Sequence, residues 1–97
     1  MMPIMRFKVE ERSMEPTLYP GDTILARKYF NLRKGDVVIF KHPEKEIKLV
    51  KRVAKIENGR YLVEGDNKEM SSDSRKFGMI ERESIIGKVM FLKSKDE

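Results

Sequence analysis

Apolar positions along the chain recur in short runs that alternate with polar ones at a period of two. In "MRFKVE" the apolar set is Met5, Phe7 and Val9, and comparable runs follow in "DTILARKYF", "DVVIFKH", "IKLVKRVAKI", "RYLVEGD" and "SIIGKVMFL". A period of two with many β-branched residues predicts strands. No segment of 12 or more residues sustains a 3.6-residue apolar period, so helix is expected only as short turns, after Ser13 or around "ERES". The punctuation between runs agrees. Pro20-Gly21 suits a type II turn, Gly35-Asp36 opens another strand, and Asn58-Gly59 is the favoured pair for a two-residue hairpin, folding the strand that ends near Ile56 onto the one that starts at Arg60. "PGDTILA" and "KGDVVIF" repeat a Gly-Asp-strand pattern and read as two similar turns. The fold class is mostly β.

Within "IKLVKRVAK", alternation places Ile47, Leu49, Lys51 and Val53 on one side and Lys48, Val50, Arg52 and Ala54 on the other. Lys48 and Arg52 together mark their side as the solvent face. Lys51 is the exception, a lysine with apolar neighbours on its own face. Read alone, such a lysine more often snorkels from a sheet edge.

Composition narrows the chemistry. Ninety-seven residues suit one domain spanning 1–97 with a small core. Hydrophobic residues at 39% and charged residues at 38% suit a compact, heavily charged protein rather than a disordered chain. The chain has no cysteine, which removes disulfides, thiol nucleophiles and thiolate metal sites. No apolar stretch approaches the roughly 20 residues that span a bilayer, and the start "MMPIMRFKVEE" lacks the apolar region of a secretory signal. A cytoplasmic protein is expected, with attachment to a membrane through a partner left open. The net charge of +5 comes from Lys and Arg interspersed with Glu, as in "KHPEKEIKLVKRVAKIE", and no aromatic-rich basic motif accompanies it, so no nucleic-acid partner is expected.

"RSMEPTL", residues 12–18, presents Ser13 as a candidate nucleophile, which needs a group to take its proton. The single histidine, His42, lies in the polar loop "KHPEKE", where a lone histidine is more often a surface residue, and no orienting carboxylate is paired with it by spacing. A lysine can serve if it is neutral. An ordinary lysine titrates near 10.4, and burial can depress it by about 3 to 5 units, which demands a nearly dry site. Lys45 and Lys48 do not meet that demand, whereas Lys51, between Leu49 and Val53, can.

At these residues the chain resembles the type I signal peptidases, serine proteases with a Ser-Lys dyad. "SMEPTL" matches their nucleophile box, "KGDVVIF" the next strand box, "KLVKRV" the lysine box and "GDNKEMSSDSRKFG" the late box, in the family's order and over residues 12 to 90. The resemblance implies Ser13 as nucleophile and Lys51 as general base. It also implies Ser71 as the hydroxyl that orients the lysine amine, Asp73 and Arg75 as an ion pair behind it, and Met14 lining the site. The Ser13 backbone N–H would be one oxyanion donor. In the best-known bacterial members a hydroxyl two residues before the nucleophile is the second, and here that position is Glu11.

The chain resembles the small, catalytic-core-only members, among them the maturation proteases of nickel-containing superoxide dismutase. No membrane anchor and no large second domain are expected. The resemblance implies a coiled, antiparallel β architecture shared with self-cleaving repressor domains, and no cofactor or metal. It further implies a precursor protein bound as an extended strand and trimmed of an N-terminal signal or pro-peptide. A self-cleaving repressor-type protease and a non-catalytic peptide-binding or nucleic-acid-binding β domain are the alternatives on the same scaffold. The oligomeric state is not legible.

Overall fold

The computed structural model describes residues 3–28, 31–71 and 73–91. Tyr29, Phe30, Ser72 and Leu92, which the runs above include, lie outside the described residues. Seven strands form one sheet: β1 (Ile4–Lys8), β2 (Thr23–Arg27), β3 (Val37–Lys41), β4 (Lys48–Glu57), β5 (Arg60–Glu64), β6 (Ile80–Glu81) and β7 (Ile85–Phe91). Their order across the sheet is β1-β2-β7-β3-β4-β5-β6, and every neighbouring pair is antiparallel. The architecture is therefore mostly β, as the alternation predicts, and antiparallel, as the resemblance implies. Among the described residues no helix is long and apolar enough to cross a membrane.

β3 explains how the sheet is buried. Its four apolar residues alternate between two cores: Val37 and Ile39 join Val9, Met14, Leu18, Ile24, Ala26, Val50 and Val89 on one side. Val38 and Phe40 join Leu49, Val53, Tyr61, Val63, Ile80 and Ile85 on the other. A strand covered on both faces reads as a continuous apolar run, which is the pattern of "VVIF". β4 shares this position at its start, so the expected solvent face is corrected there. Val50 packs in the first core. Farther along, at Lys55–Glu57, the strand emerges into solvent on both sides.

The turns carry the sequence pattern into three dimensions. Gly21 and Gly35 have φ of 96° and 98°, a left-handed conformation that glycine adopts without steric cost. Each closes a four-residue turn, with Asp22 N–H donating to the Tyr19 carbonyl and Asp36 N–H to the Arg33 carbonyl. The aspartate side chain then accepts the backbone N–H of the turn's first residue, Tyr19 at 2.9 Å and Arg33 at 2.8 Å. The two Gly-Asp segments thus form the same closed turn twice. Asn58 (φ 51°) and Gly59 (φ 75°) make the expected hairpin, pairing Glu57 with Arg60.

Two local expectations are corrected. His42 is buried rather than a surface residue, because its ring meets Phe77 edge-on with centroids 4.8 Å apart. Its Nδ1 accepts the backbone N–H groups of Glu44 and Lys45, so the histidine organises the loop that leads into β4. The chain after Ser13 forms turns instead of a helix. "ERES" does supply a 3-10 turn over Arg82–Ser84, and the one α-helix among the described residues, α1 (Ser74–Phe77), begins at the end of "SSDSR" and runs on to Phe77.

Candidate active site

The site is assembled from the turn after β1, the start of β4 and the segment after β5. Ser13 opens the first of these. Glu15 N–H donates to the Arg12 carbonyl and Leu18 N–H to the Met14 carbonyl, which winds the chain tightly and leaves Ser13 and Met14 almost wholly buried. Among the described residues nothing accepts the Ser13 backbone N–H. Asn67 holds the turn from the far side: its backbone N–H donates to the Ser13 carbonyl at 2.8 Å and its side-chain amide to the Arg12 carbonyl at 3.2 Å.

Gly65 fixes how closely these segments meet. A Cβ at this position would lie 2.6 Å from the Ser13 carbonyl oxygen and would collide with the Ser71 hydroxyl, so only glycine fits. Ser13 and Ser71 thus flank one glycine. Asp66, the next residue, accepts the Thr17 hydroxyl and a two-pronged hydrogen bond from Arg52 at 2.9 and 2.8 Å, while Arg52 also donates to the Gly35 carbonyl. Arg52, assigned by alternation to solvent, ties the turn that bears Ser13, β4 and the second Gly-Asp turn together. Its hydrogen bonds, opposed by partial burial, hold the Asp66 carboxyl below its ordinary range.

Behind Gly65 lies the expected ion pair. Asp73 is fully buried, and its carboxylate accepts the Ser71 hydroxyl at 2.6 Å, the Gly65 N–H at 2.9 Å and Arg75 Nε at 2.9 Å. It also caps α1 through the Arg75 N–H. Burial alone would raise this carboxyl, but the hydrogen bonds from Arg75, Ser71 and the Gly65 N–H outweigh it and hold the group well below the usual carboxylate range.

Lys51 has no exposed surface, and among the described residues its Nζ has no hydrogen-bond partner. Leu49 and Val53 flank it on β4 and Val38 faces it from β3, as the alternation required. Burial pushes the amine below its ordinary value; Glu11 and Asp73 pull it back up, and Arg75 adds to the lowering. A lysine at the sheet edge would have kept its ammonium in water. This one has not.

A cleft of about 520 Å³ reaches Ser13 and Met14 between the β1 edge, continued through Glu11, and residues 46–50. Both walls present open strand edges. Among the described residues β1 pairs only with β2, and residues 48–51 of β4 pair only with β3, since β5 joins β4 from Arg52 onward. Of the residues singled out by sequence, Ser13 and Met14 line the cleft, Ser71, Asp73 and Arg75 form one hydrogen-bonded cluster, and Lys51 lies under its charge. His42 stands apart, committed to its own loop. Sequence reasoning missed Gly65, Asp66, Thr17 and Asn67. Three of them belong to the "EGDN" stretch, where the signal was present as spacing but carried no role.

Comparison with known proteins supplies the family. The family model described as Peptidase S24-like matches residues 3–90. Signal peptidase IB of Staphylococcus aureus is 58% identical over 36 residues, which are 37% of this chain and 19% of that protein. Mitochondrial inner membrane protease subunit 1 of Xenopus tropicalis is 30% identical over 102 residues, 79% of this chain and 61% of that protein. The chain thus spans less than two thirds of the length of these relatives. With the antiparallel fold and the match over nearly its whole length, the chain belongs to the Peptidase S24-like family and is a relative of the type I signal peptidases.

Proposed function

We propose that the protein is a serine endopeptidase in which Ser13 is the nucleophile and Lys51 the general base, and that it removes an N-terminal signal or pro-peptide from a precursor. The observation that carries this reading is the buried, unpartnered Lys51 amine. A neutral amine can take a proton, and a polar group left dry without a partner is a cost that a purely structural lysine would not bear.

In the first step Lys51 Nζ accepts the Ser13 hydroxyl proton as Oγ bonds to the scissile carbonyl carbon, and the carbonyl π pair moves onto oxygen. The unclaimed Ser13 N–H is one donor to that oxyanion. Collapse of the intermediate breaks the C–N bond, and Lys51 returns the proton to the departing amine. Water then attacks the acyl-serine ester with Lys51 as base again, which frees the acid and restores Ser13. Ser71, its own proton engaged by Asp73, retains a free oxygen lone pair, the Asp73–Arg75 pair fixes the Ser71 rotamer, and orienting the Lys51 amine during the reaction is the role this reading gives it. The substrate lies extended between the β1 edge and residues 48–51, gaining main-chain hydrogen bonds.

The test is to incubate candidate precursors with the wild type, Ser13→Ala and Lys51→Met and to sequence any new N-terminus. The wild type should generate one defined cut, and both variants should lower its rate by at least about 10²-fold while remaining folded. Retention of near-normal cleavage by Lys51→Met removes the dyad.

A further inference from the structure

The charged residues that line the cleft are sorted by sign. Glu10 and Glu11 stand at the Ser13 end, whereas Arg6, Lys8 and Lys48, against the single carboxylate of Glu46, stand toward the other. All six are exposed, and none forms a salt bridge with a described residue. The walls run the same way, since β1 leads from Arg6 toward Ser13 and β4 leads from Lys48 toward Lys51. An extended chain in the cleft therefore meets one sign of charge at the reacting end and the opposite sign farther out.

From this arrangement, and resting on the peptidase reading above, we infer that the protein selects an extended segment carrying a basic side chain beside the scissile bond and an acidic side chain about four to five residues away. The spacing is that from Arg6 to Glu10 and Glu11 along an extended wall, roughly 13 to 17 Å at about 3.3 Å per residue. The walls' main-chain edges bind any sequence, so the unpaired side chains are what discriminate.

Glu11 links selection to chemistry. Of the charges that act on Lys51, Glu11 and Asp73 favour the ammonium and Arg75 opposes it. Asp73 is already neutralised by Arg75, but Glu11 faces the cleft unpaired. A substrate cation beside Glu11 offsets its pull and releases Lys51 toward the free base. The matching substrate thereby improves its own general base.

The test uses three peptides with one small-residue core around the cut: one with the predicted charges, one with them exchanged and one neutral, each built on either side of the bond. Binding is measured on Ser13→Ala and cleavage on the wild type. At low salt the predicted peptide should bind about tenfold more tightly than the exchanged one, on the order of threefold per ion pair, and the gap should shrink at high salt. Its cleavage profile should move to lower pH than that of the neutral peptide. The double variant Glu10→Lys, Glu11→Lys should reverse the order. Equal binding of the three peptides, or a preference untouched by the double variant, overturns the selection. Equal cleavage of all three leaves the peptidase standing without the selection, and charge-selective binding with no cut of any peptide removes the peptidase while leaving the selection intact.

Discussion

A buried amine without a partner weighs against the fold, and Lys51 is such an amine. Replacing it by methionine keeps the aliphatic stem against Leu49 and Val53 and removes the polar end. Lys51→Met should therefore be more stable than the wild type by about 1–3 kcal/mol near neutral pH. The sign of the pH dependence follows from the lowered folded-state value. Between that value and the free-lysine value near 10.4, the unfolded chain holds more protons, so wild-type stability rises with pH; below the folded-state value the cost is complete and constant. Urea midpoints at pH 7 and pH 10 should converge for the two proteins. The alternation in "IKLVKRV" made the face of Lys51 legible, because strand periodicity is local. It could not show that the face was dry, since that depends on β3, β5 and the nucleophile turn arriving from elsewhere in the chain.

At the level of elements, the strands and turns were legible wherever a pattern closes on itself. The six long strands, the hairpin at Asn58-Gly59 and the twin Gly-Asp turns all follow from residues within a few positions of one another. Two-residue β6 has too little sequence to announce itself. Burial of His42 depends on Phe77, thirty-five positions later, and the Arg52–Asp66 pair joins β4 to the bend after β5, so neither leaves a local trace. Gly65, the residue after β5, packs against the Ser13 turn, and that contact has a direct consequence. Gly65→Ala should force the Ser13 carbonyl and Ser71 apart and destabilise by about 1–3 kcal/mol, with a larger proportional loss of cleavage than of thermal stability. Melting temperature and cleavage rate measured on one preparation check it.

For the molecule as a whole, acid is the informative perturbation. Asp73 and Asp66 both have folded-state values below their ordinary range, so their contribution to stability is present above about pH 4 and is lost as pH falls through the lowered values. Asp73→Asn should melt earlier than the wild type at pH 7 and nearly with it in strong acid, as melting curves across pH would show. Most of the site was legible as an ordered set of boxes; the joins between them were not, because Asn67 to Ser13, Asp66 to Thr17 and Gly65 to Ser71 are contacts of folding rather than of spacing. The strand order adds one more join. β7, the last strand described, lies between β2 and β3, so the flap bearing Ser13 and the flap bearing Lys51 share no sheet pairing until residues 85–91 are in place. A chain emerging from its N-terminus therefore joins the Ser13 and Lys51 halves in one sheet only after residues 85–91 are made, and until then side-chain packing in the first core and loop contacts are what hold them together.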